Sequence, residues 1–145
     1  MDNEIKQRLI AKAKEGMSNA YSIVFDFKVG AAVLTNNGNI YQGCNTESVI
    51  SGLGLCAERS SIYHAVAHGE YIFEAIAIVS KLEEPIKPCG MCRQLIGEFN
   101  QLSESNIKII MVGSKGKIIE STINDMLPAI HGPKTLNLDL EEYCK

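Results

Sequence analysis

The chain opens with a narrow apolar stripe on a polar background, and short apolar runs recur after it. The stripe consists of Ile5, Leu9 and Ala13 and predicts a helix over residues 3–17. The later apolar runs are separated by Gly, Pro and Asn residues, a pattern that predicts buried strands. The predicted strands cover residues 27–34, 39–43, 72–79, 107–112 and 117–120.

Helical segments alternate with these strands. We predict helices over residues 56–68 and 90–99, and a short one over 124–127. The turn sequence Asn36-Asn37-Gly38 joins the first two strands into a hairpin. The pattern therefore predicts an α/β layer fold with a mixed sheet. The tail after Gly132 has few apolar residues, and we expect it to lie on a partner or to be loose.

Length and composition narrow the class of protein. A chain of 145 residues predicts a single domain, residues 1–145, and 46% hydrophobic with 21% charged residues is ordinary for a globular protein. The net charge of −3 argues against a nucleic-acid partner. No apolar run has the length of a membrane span, and the acidic start of the chain is unlike a signal peptide, so we expect no membrane partner and a cytoplasmic location.

Two of the five cysteines form a C-x-x-C pair, Cys89 and Cys92, directly after Pro88. Such a pair at the start of a helix can hold one metal ion, because the helix N-terminus favours negative charge. On its own the pair also fits a redox dithiol or half of a structural zinc site.

A third cysteine, Cys56, changes the interpretation. Three thiolates would fill three tetrahedral positions of Zn²⁺ and leave the fourth for water, which is the arrangement of a catalytic site. Glu58, two residues further on, is then expected to take the proton of that water and pass it to the substrate. Arg59 is expected to donate hydrogen bonds to the ligand sulfurs and offset their charge.

These motifs resemble a known family. Cys56-Ala57-Glu58 followed by Pro88-Cys89-Gly90-Met91-Cys92 is similar to the signature of zinc-dependent deaminases. The resemblance to the cytidine deaminase family of nucleoside salvage runs in register from about Tyr21 to His131. The segments that carry it are Val29–Leu34, Gly43–Glu47, Cys56–Ser61, Ala65–Gly69, Pro88–Leu95 with Glu98-Phe99, and Met126–Pro128.

The resemblance implies a three-layer α-β-α fold, one Zn²⁺ per chain and a homotetramer whose active sites are completed by neighbouring chains. It implies hydrolysis of cytidine and deoxycytidine to uridine and deoxyuridine, with release of ammonia. The backbone N–H of Ala57 would help to hold the base, Phe27 would pack beside it, and Asn45 and Glu47 would bind the ribose hydroxyls. An amide and a carboxylate are also chemically suited to sugar hydroxyls.

The chain departs from the family pattern where substrate and neighbouring chains would touch it. The departures are at Ile23, Val24, Phe25, Ser48, Ser51 and His131, the last replacing an aromatic that stacks on the base across a subunit interface. The reaction type is therefore better founded than the substrate. A related deaminase for another amino-pyrimidine, such as blasticidin S or a modified nucleoside, stays open, as does a non-catalytic zinc module or dithiol redox protein. His64 and His68 are interpreted as structural.

Overall fold

The computed structural model describes residues 1–145 and contains one five-stranded sheet. The strand order is β2-β1-β3-β4-β5. Only β3 and β4 are parallel, and the other neighbours pair antiparallel, so the predicted mixed sheet is confirmed. The strands are β1 Val29–Thr35, β2 Ile40–Cys44, β3 Phe73–Ser80, β4 Lys108–Val112 and β5 Ile118–Thr122.

Helices cover both faces of the sheet. On one face, the stripe of α1 packs against alternate residues of the central strands, among them Ala32, Ala77 and Ile110. On the opposite face, α2 and α3 pack against the other alternation, including Val33 and Ile78. This is the three-layer α-β-α arrangement, and it explains why every residue of β1 is buried. The helices are α1 Asn3–Ser18, α2 Ala57–Ala67, α3 Gly90–Ser103 and α4 Ile123–Met126.

The first strand begins two residues later than predicted. Asp26 has a left-handed backbone, with φ of 50°, which breaks the extended chain before Phe27. The carbonyl of Phe27 and the N–H of Val29 are then bonded by the side chain of Asn45 at 2.8 Å each, in place of a neighbouring strand. Phe27 therefore lies in the loop before β1, and its partly buried ring packs against the core at that end of the sheet.

The C-terminal tail lies on its own chain. It forms two short 3-10 turns, Pro133–Leu136 and Glu141–Tyr143. The backbone N–H of Lys134 donates to Oε1 of Gln101 in α3 at 2.9 Å, and the ring of Tyr143 meets that of Tyr71 edge to face at 5.1 Å. The tail is therefore attached to its own chain rather than loose, and its contact with a partner stays a prediction. In addition, none of the helices combines the length and apolar character that a membrane span requires.

A glycine fixes how closely α2 approaches the sheet. A Cβ atom at Gly43 would lie 2.3 Å from the backbone nitrogen of Ser61 and 2.7 Å from the backbone oxygen of Ala57. No side chain other than hydrogen fits between β2 and α2 there. The position of the N-terminal turn of α2, which carries Cys56 and Glu58, consequently depends on this contact.

Candidate active site

Three cysteine sulfurs converge where α2 and α3 begin. Cys56 and Cys89 are the N-cap residues of the two helices, and Cys92 lies in the first turn of α3. The Sγ atom of Cys89 is 3.8 Å from that of Cys56 and 3.4 Å from that of Cys92. Sulfurs around a tetrahedral Zn²⁺, each about 2.3 Å from the ion, are about 3.8 Å apart. All three sulfurs lie within 4.8 Å of one another, so their arrangement fits a single tetrahedral ion.

The surroundings of the sulfurs favour negative charge. Both helices present their positive N-terminal ends to the cluster. A hydrogen bond from the Cys92 thiol lowers the pKa of Cys56, with Arg59 acting in the same direction, and the same hydrogen bond raises the pKa of Cys92. Cys56 is therefore the first of the three thiols to ionise, and its thiolate accepts a hydrogen bond from the Cys92 thiol.

Arg59 lies against this thiolate, as predicted. Its Nη2 atom is 3.8 Å from Sγ of Cys56 and 3.5 Å from the carbonyl oxygen of Gly54. The Nε atom of Arg59 is buried without a partner in the chain. The guanidinium is therefore held between the loop before α2 and the sulfur cluster, where its charge acts on the thiolates.

Glu58 is a buried carboxylate in the first turn of α2. Only 4% of it is exposed, and it lines the same cleft as Cys56 and Cys89. Burial raises the pKa of Glu58 to about 7, and negative charge on Cys56 acts in the same direction. A carboxyl group with a pKa near neutrality can both accept and donate a proton at physiological pH.

A cleft of about 370 Å³ opens beside the cysteines, at the end of the sheet where β3 ends and β1 begins. Ligands of open α/β sheets commonly bind at the carboxyl ends of the parallel strands. Most of the predicted site residues line this cleft, whereas Cys92 and Arg59 lie behind it. The predicted residues that line it are Phe27, Asn45, Glu47, Cys56, Ala57, Glu58 and Cys89.

Half of the cleft wall was not predicted as part of the site. The sequence marks Phe25 only as a departure from the family pattern and Val29 only as part of a strand. Gly54-Leu55 and Ile86-Lys87 directly precede the segments that carry the clustered cysteines, and this adjacency in sequence could have identified them. The unpredicted lining residues are Phe25, Val29, Thr46, Gly54, Leu55, Ile86 and Lys87.

The two candidate sugar ligands already hold the cleft together. The side chain of Asn45 uses its oxygen and one N–H on the backbone around β1, which leaves one N–H for a ligand. Oε2 of Glu47 accepts hydrogen bonds from the backbone N–H groups of Val24 at 2.6 Å and Phe25 at 3.0 Å. The Oε1 atom of Glu47 has no partner within the chain. Each residue therefore combines a structural contact with free hydrogen-bonding capacity.

His131 does not reach the cleft of its own chain. The residue is exposed, and its backbone carbonyl accepts a hydrogen bond from the side chain of Gln94 in α3. The residue is not among those that line the cleft. Ser48, another departure, accepts the backbone N–H of Ile50 at 3.0 Å and stabilises the loop beyond Glu47.

Comparison with known proteins agrees with this geometry. Residues 3–109 match the family described as "Cytidine and deoxycytidylate deaminase zinc-binding region". The chain is 37% identical over 136 residues to a cytidine deaminase of Sporosarcina psychrophila, covering 94% of this chain and 98% of the relative. It is 31% identical over 108 residues to a blasticidin-S deaminase of Bacillus cereus, covering 69% of this chain and 74% of the relative.

A solved structure shares the fold. The crystal structure of cytidine deaminase from Burkholderia pseudomallei is 35% identical, with a TM-score of 0.81, over 90% of this chain and all of the other. The shared fold, the three-cysteine cluster and the match to a zinc-binding deaminase region define the class as the zinc-dependent hydrolytic deaminases. The chain belongs to the cytidine and deoxycytidylate deaminase family.

Proposed function

We propose that this protein hydrolyses cytidine and 2′-deoxycytidine to uridine and 2′-deoxyuridine and releases ammonia. The single observation that supports this most strongly is the three-sulfur cluster beside a buried carboxylate in one cleft. The similarity to cytidine deaminases over nearly the whole chain supports the same substrate class.

Cys56, Cys89 and Cys92 hold one Zn²⁺. Three soft thiolates at tetrahedral spacing suit this ion, and the helix N-termini and Arg59 offset the excess negative charge. When bound there, Zn²⁺ supplies an electrophile that lowers the pKa of water towards neutrality, and its charge favours the ionised form of Glu58.

Glu58 moves the protons of the reaction. Its carboxylate accepts a proton from the attacking water and delivers it to N3 of the cytosine. It then takes the remaining proton of the hydroxyl added at C4 and gives it to the amine, so that the C4–N bond breaks, ammonia leaves and the C4 carbonyl of uridine forms. The burial of Glu58 excludes bulk water from this transfer and keeps its affinity for the proton high enough to hold it between the two steps.

Backbone and side chains of the cleft orient the nucleoside. Ala57 is the first residue of α2, where the backbone N–H has no partner within the helix, and it donates to the base. Phe27 packs beside the cytosine ring. The free N–H of Asn45 and Oε1 of Glu47 bind the ribose hydroxyls.

We propose further that residues 1–145 act as one domain, that four copies assemble with shared active sites, and that the enzyme works in the cytoplasm. Exposed apolar residues close in sequence to the cleft lining, among them Ile23, Val49 and Leu53, support burial against neighbouring copies.

The second candidate is deamination of blasticidin S. The identity with a blasticidin-S deaminase favours it, as do the departures near Phe25. A carboxylate at Glu47 with one free oxygen favours the nucleoside, because its position and charge suit sugar hydroxyls.

A substrate panel tests the proposal. The zinc-loaded protein is given cytidine, deoxycytidine, cytosine, methylated cytidines and blasticidin S, while ultraviolet absorbance and ammonia are recorded. We expect turnover of cytidine and deoxycytidine. Turnover of blasticidin S alone would contradict the substrate assignment, and no ammonia from any compound would contradict the reaction.

A matched pair of cysteine variants controls for the metal. Cys56→Ser removes a ligand, whereas Cys144→Ser changes an exposed thiol that lies outside the cluster. We expect loss of zinc and activity only in Cys56→Ser.

A further inference from the structure

An exposed aromatic ring stands at the mouth of the cleft. Phe25 and Phe27 both line the cleft, yet Phe25 is 81% exposed to solvent. Most of its ring therefore lacks the stabilisation that burial gives to an aromatic side chain. The ring is a surface that a bound molecule can cover.

The backbone of Phe25 is fixed although its ring is not packed. The N–H groups of Val24 and Phe25 donate to Oε2 of Glu47 at 2.6 and 3.0 Å. Just before them, Tyr21 donates its N–H to the carbonyl of Asn45 at 3.1 Å and accepts the N–H of Glu47 at 2.7 Å. Four hydrogen bonds thus tie this loop to the segment that carries the candidate sugar ligands. The backbone around the ring needs little reordering when a ligand binds, which lowers the cost of the contact.

A left-handed turn at Asp26 separates the two aromatic residues that line the cleft. Asp26 adopts φ of 50°, and aspartate is among the residues that tolerate this conformation. On its far side, the carbonyl of Phe27 is held by Asn45 at 2.8 Å. Phe25 and Phe27 are consequently anchored separately, through Glu47 and Asn45.

The contact with Glu47 locates the ring along the cleft. In the proposed function, on which this inference rests, the free oxygen of Glu47 binds a ribose hydroxyl. The N–H of Phe25 is bonded to the other oxygen of the same carboxylate. We propose that Phe25 packs against the sugar of the bound nucleoside and is a specificity-determining residue of this chain. An apolar wall at this point favours an uncharged nucleoside.

Steady-state kinetics of Phe25 variants test this. The full-length, zinc-loaded protein is compared with Phe25→Ser, Phe25→Leu and Phe25→Tyr on cytidine. We expect Phe25→Ser to raise KM about three- to tenfold with kcat within about twofold, Phe25→Leu to give a smaller rise, and Phe25→Tyr to resemble the parent protein. The effect falls on KM because the ring lies at the sugar and takes no part in proton transfer.

Val24→Ala is the matched control. Val24 is 51% exposed and its N–H is bonded to the same carboxylate, but it does not line the cleft. We expect its KM to equal that of the parent protein. The assembled mass of each variant, measured by light scattering, separates a sugar contact from a contact between copies of the chain.

An unchanged KM in Phe25→Ser would overturn the inference, as would a loss of activity that accompanies a change in assembled mass. A rise in KM of equal size in Val24→Ala would also overturn it. If the parent protein deaminates no cytosine nucleoside, the proposed function itself is wrong, whereas an active parent with insensitive Phe25 variants contradicts only this inference.

Discussion

Replacing Gly43 with alanine tests whether the sheet sets the geometry of the three-cysteine cluster. The new Cβ atom would lie 2.3 Å from the backbone nitrogen of Ser61 and 2.7 Å from the backbone oxygen of Ala57. Both neighbours are backbone atoms of α2, so they cannot turn away as a side chain would. The helix must move by about 1 Å to reach an ordinary van der Waals separation.

This movement carries Cys56 and Glu58 with α2, while Cys89 and Cys92 stay with α3. We expect Gly43→Ala to lower the free energy of unfolding by about 2–3 kcal/mol, because overpacking forces the backbone to shift. We also expect kcat/KM to fall by about 100-fold, since a 1 Å displacement of a catalytic group has effects of that order.

The assay combines urea denaturation, zinc content and deamination kinetics. Gly90→Ala is the control for stability, because a Cβ at Gly90 meets no atom within 4 Å and alanine favours a helix. We expect its unfolding free energy to equal or exceed that of the parent protein. A Gly43→Ala variant with unchanged stability, zinc content and kcat/KM would refute the reasoning.

Three further predictions concern polar contacts. Glu70 accepts a hydrogen bond from the hydroxyl of Tyr41. Burial raises the pKa of Glu70, but hydrogen bonds from neighbouring side chains outweigh burial and lower it. The ionised carboxylate therefore stabilises the fold above the ordinary glutamate pKa, and this stabilisation is lost as pH falls through the lowered pKa. Glu70→Gln should flatten the acid limb of the stability curve in thermal melts; an unchanged limb would contradict this. Arg59→Ala should lower zinc affinity or activity about 10- to 100-fold, measured by competition with a chelator, because it uncovers the Cys56 thiolate; parent-like values for both would contradict it. Asn45→Ala should reduce the unfolding free energy by about 1–3 kcal/mol, because the N–H of Val29 and the carbonyl of Phe27 lose their partner, and it should also raise KM. A rise in KM with unchanged stability would show that these backbone contacts contribute little.

The three-cysteine cluster was predictable because its pattern is encoded locally. Cys56 with Glu58, and Cys89 with Cys92, each sit within one helical turn, so their spacing in sequence nearly determines their spacing in space. The order of helices and strands was equally accessible, since apolar runs such as 107–112 are buried on both faces of the sheet. The family resemblance added the layer arrangement, which the structure confirms.

The parts that sequence could not give depend on contacts between distant segments. The prediction ended α3 at Phe99, but α3 extends to Ser103, where the side chain of Asn100 accepts the backbone N–H of Ile107 at 2.9 Å. The delayed start of β1 depends on Asn45, and the course of the tail depends on Gln101. No local pattern of apolar residues records such long-range hydrogen bonds.

The central claim is that a buried carboxylate beside a three-thiolate metal site carries the protons of a hydrolytic deamination. The most direct test is to measure zinc per chain and the rate of ammonia release from cytidine in the parent protein and in Glu58→Gln. The account predicts one zinc per chain in both, with a rate at least about 100-fold lower in Glu58→Gln. A parent protein that binds no zinc, or a Glu58→Gln variant that deaminates at the parental rate, would contradict it.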